Sequence, residues 1–305
     1  MKQKLNYFKH FLLMFVMLLG ANLVTAQIEP TPMMLQQEVI EEMPTITLDE
    51  SQKMHNEDVN KNEKKTKLTS KSSATTTNFL LKNGGGPLAG VYSIGGGSAD
   101  FPSLTAAASY LANFGVAAPV FFELNDSYDG SLETFPINFA SVASGQAPSA
   151  TNPLTIRPAL GVTNRIIEGN NRIFDFTGMG HITIDGRPGG IGTTSQLRIT
   201  NTATFGTTIR FRNEASHNTI TYCTISGSGD NVILIGTTTG ANGNDQITIT
   251  HNIIRGGATM PGSLIINEGT TTNADTFNSG INISHNEFIN FRSYGILFSH
   301  SLNML

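Results

Sequence analysis

The stretch Ile247-Thr248-Ile249-Thr250-His251-Asn252-Ile253-Ile254 returns 34 residues later (247 to 281) as Ile281-Asn282-Ile283-Ser284-His285-Asn286-Glu287-Phe288. An earlier version, 29 residues before (218 to 247), reads Asn218-Thr219-Ile220-Thr221-Tyr222-Cys223-Thr224-Ile225, and a weaker one reads His181-Ile182-Thr183-Ile184-Asp185-Gly186. Alternation of apolar and polar residues describes a strand with one buried face. Asn then interrupts. It tolerates left-handed backbone angles and bonds locally, so it permits a sharp bend before the inward pattern resumes. A strand, a bend and a second short strand cannot close a core alone. Stacked at ~4.8 Å per rung, such units pair with their neighbours and bury a continuous core. The reading therefore predicts that Asn252 and Asn286 lie one above the other with their amides bonded along the column. Cys223 should occupy the same column one rung earlier, as a small buried thiol.

Between these phrases lie further strand-like pieces: Leu154-Thr155-Ile156, Phe174-Asp175-Phe176, Thr208-Ile209-Arg210-Phe211, Val232-Ile233-Leu234-Ile235 and Ser263-Leu264-Ile265-Ile266. One helix stands out. Leu104, Ala107, Ala108, Leu111 and Phe114 fall on one face, with Pro102 ahead of them and Gly115 after. The unequal spacings of the repeat imply loops of different length, projecting from the stack and able to carry a site.

The repeated phrase resembles that of right-handed parallel β-helix proteins of the pectate-lyase-like superfamily, over about residue 88 to the C-terminus. Gly95-Gly96-Gly97-Ser98-Ala99-Asp100-Phe101-Pro102-Ser103-Leu104, followed by Ser127-Tyr128-Asp129-Gly130, is similar to that family's first turn. The resemblance implies an all-β, right-handed parallel β-helix whose early helix caps the N-terminal end. It also implies a long face suited to polysaccharide.

The rest of the chain is organised around that domain. Residues 1–26 read as an export signal: Lys2, Lys4 and Lys9, an apolar run from Phe11 to Leu19, then Val24-Thr25-Ala26 at the cleavage position. Nine apolar residues fall short of the ~20 that span a bilayer, and no later run approaches that length, so no membrane span is expected in the mature chain. Residues 27–78 carry six Lys and nine acidic residues with few large apolar ones after Leu48. Such a segment cannot offset its ordering entropy and reads as a flexible polar linker. The β-helix domain is expected over 79–305. Gly295-Ile296-Leu297-Phe298-Ser299 reads as another rung close to Leu305, with no polar cap after it. The expectation is a β-helix incomplete at its C-terminus, in a secreted or cell-surface protein.

Composition narrows the function. Charged residues make up 14% of the chain, and a net charge of −4 gives no general electrostatic footprint for nucleic acid. One Cys excludes an internal disulfide framework. The local strings that mark polygalacturonases, pectate lyases and pectin esterases are absent, so the resemblance carries over no catalytic residue. The residues themselves leave weak catalytic candidates. Asp175 and Asp185 lie near Arg172 and Arg187, ten residues apart and so on different faces of one rung. Arg210 and Arg212 share an outward face by alternation, suited to an anionic sugar or to nearby Glu214. His251 and His285 share a repeat position, but two ligands do not make a zinc site, and no metal site is assigned. Two readings follow. One is an exported β-helix that binds or processes polysaccharide or cell-surface glycan. The other is a non-catalytic adhesin or structural rod. The absence of Trp limits sugar stacking to Tyr and Phe.

Overall fold

The computed structural model describes residues 85–302 apart from 272 and 300. The export-signal and linker readings over 1–26 and 27–78 lie outside the described residues. Strand alternation drives the architecture, and three parallel sheets wrap one apolar core. Sheet one stacks seven strands: Leu88–Ile94, Val116–Leu124, Leu154–Pro158, Ile182–Asp185, Thr219–Thr221, Thr248–Thr250 and Asn282–Ser284. Sheet two stacks Arg165–Gly169, Leu197–Asn201, Cys223–Gly227, Ile253–Gly256 and Glu287–Ile289. Sheet three stacks Ile137–Phe139, Phe174–Thr177, Ile209–Arg212, Asn231–Ile235, Ser263–Asn267 and Tyr294–Phe298. From Leu154 onward the chain visits the three sheets in that order on every turn. The result is a parallel β-solenoid of about seven turns.

Each rung presents the same inward residue to the next. Ile184, Ile220, Ile249 and Ile283 are in register on sheet one. Leu197, Cys223 and the following rungs continue this on sheet two, where Ile199, Ile225 and Ile254 align. On sheet three the inward file is aromatic: Phe139, Phe176 and Phe211 stack with centroids 5.4 and 4.9 Å apart. Nearly all of these side chains are fully buried, so each contributes ~1.5–3 kcal/mol of hydrophobic stabilisation. On the last rung Ile283, Phe288 and Ile296 are only half-buried.

The bend between sheets one and two follows the repeated phrase. His251 and His285 both take φ 56°, and Tyr222 takes φ 52°, so one left-handed residue turns the chain. The Asn after each His points inward. Asn252 Nδ2 donates to Ile220 O at 2.9 Å and to Asn286 Oδ1 at 3.0 Å. Cys223 N–H donates to Asn252 Oδ1 at 2.8 Å, placing the thiol at the head of the same column. Asn286 Nδ2 continues to Ile249 O at 2.7 Å. Each amide thus satisfies backbone groups that no ladder reaches at the corner. A second column forms at the corner between sheets three and one. There Asn244 Nδ2 donates to Gly236 O, and Asn278 Nδ2 donates to Asn267 Oδ1.

The predicted helix spans Leu104–Phe114 and buries Leu104, Ala107, Ala108 and Leu111 of the expected face; Phe114 is only half-buried, and Tyr110, outside the expected set, is buried with them. Ser103 Oγ accepts from Ala106 N–H at its start. The Glu133 carboxylate accepts from the Leu104 and Thr105 N–H groups at 2.7 and 2.8 Å, the placement a helix N-terminus favours for an anion. Gly115, at φ 72°, ends it. No helix among the described residues is long and apolar enough to cross a membrane.

Candidate functional site

On the outward face of sheet three, three arginines gather around one carboxylate. In Phe174-Asp175-Phe176-Thr177, alternation sends both Phe rings into the core and Asp175 and Thr177 outward. The next rung sets Arg210 opposite Asp175 and Arg212 opposite Thr177. Arg210 grips the Asp175 carboxylate with both ends of its fork, Nε to Oδ1 at 3.0 Å and Nη2 to Oδ2 at 2.5 Å. Arg212 Nε donates to Thr177 Oγ1 at 3.0 Å, and its Nη2 stands 3.7 Å from Asp175 Oδ2. Arg172, three residues before Asp175, brings Nη1 to 3.5 Å from the same oxygen.

Three guanidiniums therefore surround one carboxylate that is only 3% exposed. The local formal charge is about +2, and only Arg210 has ideal geometry. Arg172 shows the imbalance. Burial, and next the neighbouring Arg210 charge, hold its guanidinium below the usual arginine range, while Asp175 partly offsets them. Its Nε is buried without a hydrogen-bond partner. A buried unpaired donor costs ~1–3 kcal/mol, so the cluster is an incomplete acceptor set rather than a closed salt bridge. Along the same column of the face the next three rungs are aliphatic: Leu234, Ile266 and Leu297 are in register with Arg210. A polar end and an apolar strip thus share one ridge.

The five sequence candidates divide. Asp175, Arg210 and Arg212 meet on sheet three. Asp185 lies on sheet one, where Arg187 pairs with it at 2.9 and 2.7 Å and lies 4.4 Å over the Tyr222 ring. Glu214 stands apart from the arginines. It follows the end of a sheet-three strand at φ 68°, and its Oε1 accepts from Asn242 N–H at 2.8 Å. Asp175 is the partner of Arg210 because the rung register places the two directly opposite, and Arg212, opposite Thr177, reaches it from two residues along, whereas Glu214 has already turned out of the sheet.

His251 and His285 stack with centroids 4.7 Å apart and planes 2° off parallel, beneath Tyr222. His181 and His217 form a matching stack, 4.7 Å and 6°, that the sequence reading did not pair. The signal was present: each precedes an outward-inward alternation with the same residue spacing. Face-to-face imidazoles do not direct their nitrogens at a common point. Among the described residues no group of three or more His, Cys, Asp or Glu is placed to hold a metal ion. Cys223 is buried and its thiol is pushed up by desolvation, which leaves it in the unreactive form.

Comparison with protein-family models, with curated proteins and with solved structures found no match for this chain.

Proposed function

We propose that the chain is an exported, right-handed parallel β-helix protein of the pectate-lyase-like kind, and that its sheet-three face binds acidic extracellular polysaccharide. In this reading the helix Leu104–Phe114 caps the N-terminal end, residues 1–26 direct export, and the domain is held at the cell surface or released. One observation carries the binding assignment. Arg172, Arg210 and Arg212 share a single carboxylate, so partly exposed guanidiniums carry positive charge that Asp175 alone does not balance. Uronate carboxylates or sulfate esters supply the missing acceptor oxygens, and bidentate Arg contacts suit them. The aliphatic strip beyond Arg210 suits the apolar faces of successive sugar rings.

The test uses the full chain and a panel of acidic and neutral polysaccharides. The expected result is retention on polygalacturonate, weakened by salt and weakened about tenfold in Arg210→Ala, with none on dextran. Appearance of unsaturated product or new reducing ends would add processing to binding. Equal retention on neutral and acidic polymers would defeat the reading. The rod or adhesin reading draws on a separate feature, the outward face of sheet one. There Thr183, Thr219, Thr248 and Asn282 align, beside Thr221, Thr250 and Ser284. Retention on no glycan at all favours it.

A further inference from the structure

Nine arginines lie within the described residues, and seven are engaged. Arg157 pairs with Glu123, Arg187 with Asp185, and three surround Asp175. Arg165 Nη1 reaches the carbonyls of Asn125, Asp126 and Tyr128, and Arg292 reaches that of Met260. Arg198 and Arg255 have no hydrogen bond or ion pair among the described residues. Both are exposed, and both rise from the outward face of sheet two.

They are not scattered. Arg198 is in register with Thr224, and Arg255 with Ser226, on the strand that lies between their own strands. Two rungs and two residues along the strand separate them, so their Cα atoms are ~10–12 Å apart on a diagonal. The same two side chains and Thr224 line both of two adjoining cavities, of ≈450 Å³ and ≈210 Å³. Ser195 and Gln196, at the end of the segment between Asp185 and Leu197, form one wall of the larger. Gly257 stands on the far side of the smaller. The floor carries hydroxyls: Ser226 Oγ donates to Thr200 Oγ1 at 3.0 Å, and Thr224 is free to bond upward. Glu168 lines the smaller cavity and is its one carboxylate, which keeps anionic groups to the Arg198–Arg255 diagonal.

We infer that this groove is a second anion-binding site, separate from the sheet-three cluster, which holds the carboxylates or sulfate esters of an acidic glycan between Arg198 and Arg255. Each guanidinium offers its fork to one oxyanion, and the hydroxyl floor bonds the sugar between them. A solenoid with anion sites on two different sheets can engage two polymer chains at once. The glycan as ligand rests on the reading under Proposed function; the oxyanion site does not.

The experiment separates the two. The full chain is titrated with sodium sulfate while the arginine Nε–H resonances are followed by NMR, then with polygalacturonate and with dextran sulfate. Sulfate is expected to shift Arg198 and Arg255, and the shift is expected to persist in Arg210→Ala. Arg198→Ala and Arg255→Ala should each lower polyanion affinity at this site about tenfold, with the melting temperature unchanged, since neither side chain bonds to the protein. Stronger response to dextran sulfate assigns sulfate esters, and stronger response to polygalacturonate assigns uronates. Unmoved Arg198 and Arg255 resonances in sulfate overturn the site. So does undiminished binding of both polymers by the folded double variant. A sulfate response without polymer binding keeps the oxyanion site and removes the glycan.

Discussion

Sheets two and three both display arginines on the outward face of one stack, yet the arginines do different work. On sheet three the rung before Arg210 supplies Asp175 directly opposite, and the guanidinium is locked in a bidentate pair. On sheet two the rungs beside Arg198 and Arg255 supply Thr and Ser, and both cations stay open to a ligand. The contrast shows that residue type does not decide whether an outward arginine is structural or available. The side chain one rung away, ~4.8 Å distant, decides it. A paired arginine contributes to stability and only its excess charge reaches a ligand; an unpaired one gives the fold nothing and is free for binding.

The strongest way to break this contrast is at the corner that feeds sheet two. Asn252→Ala leaves Cys223 N–H and Ile220 C=O without partners in a site 2% exposed to solvent. It should cost about 3 kcal/mol in chemical denaturation. Hydrogen exchange should accelerate in Cys223–Gly227 before it does in Ile209–Arg212. Equal acceleration on both sheets would show that the column does not hold sheet two in particular.

Asp175→Asn addresses sheet three. It leaves three guanidiniums facing one another without their carboxylate. Removing one partner of a fully buried pair costs ~3–5 kcal/mol, but Arg172 and Arg210 are each 22% exposed and Arg212 41%, so about 2 kcal/mol is expected. Added sulfate should restore part of the loss, because an anion bound at the exposed ends of the guanidiniums offsets their uncompensated charge in the folded state. A variant as stable as the parent would place sheet three in the same class as sheet two.

The smallest effect belongs to the corner between sheets three and one. Burial, and next the charge of His217, hold the His181 pKa below its ordinary value. The unfolded chain therefore binds more protons than the folded one just below the usual histidine range. Stability from this group is complete above ~6.5 and falls as pH drops from there toward the lowered folded value. His217→Asn removes one of the two causes. His181 should then titrate closer to its ordinary pKa in an NMR titration, with a shallower loss of stability on acidification.

Much of the fold was legible because alternation is a local property. Ile-Thr-Ile-Thr followed by His-Asn states which side chains point inward and where the chain turns. Repetition of the phrase states that the rungs stack. The column of Cys223, Asn252 and Asn286 could be read before any coordinates, since equal phrases stacked in parallel must bring equal positions together. The helix Leu104–Phe114 announced itself by its period and its flanking Pro and Gly. The candidate site was less legible. Arg210 and Arg212 could be placed on one outward face, and Asp175 on a different face from Asp185, but Glu214 was as near in sequence to the arginines as any acid. Nothing local showed that Arg198 and Arg255 face one groove.

By itself the sequence determined the strand faces, the corner residues and the parallel stacking, all of which follow from side-chain direction over a few consecutive residues. Only the tertiary structure decided which charges meet. Neighbours across rungs depend on how many residues each corner consumes before the next strand begins. That number ranges from Tyr222 alone to the eleven residues from Gly186 to Gln196 (186 to 196) at the same corner. A pair such as Asp175 and Arg210, 35 residues apart, is fixed by the sum of those excursions and by the register of the ladder.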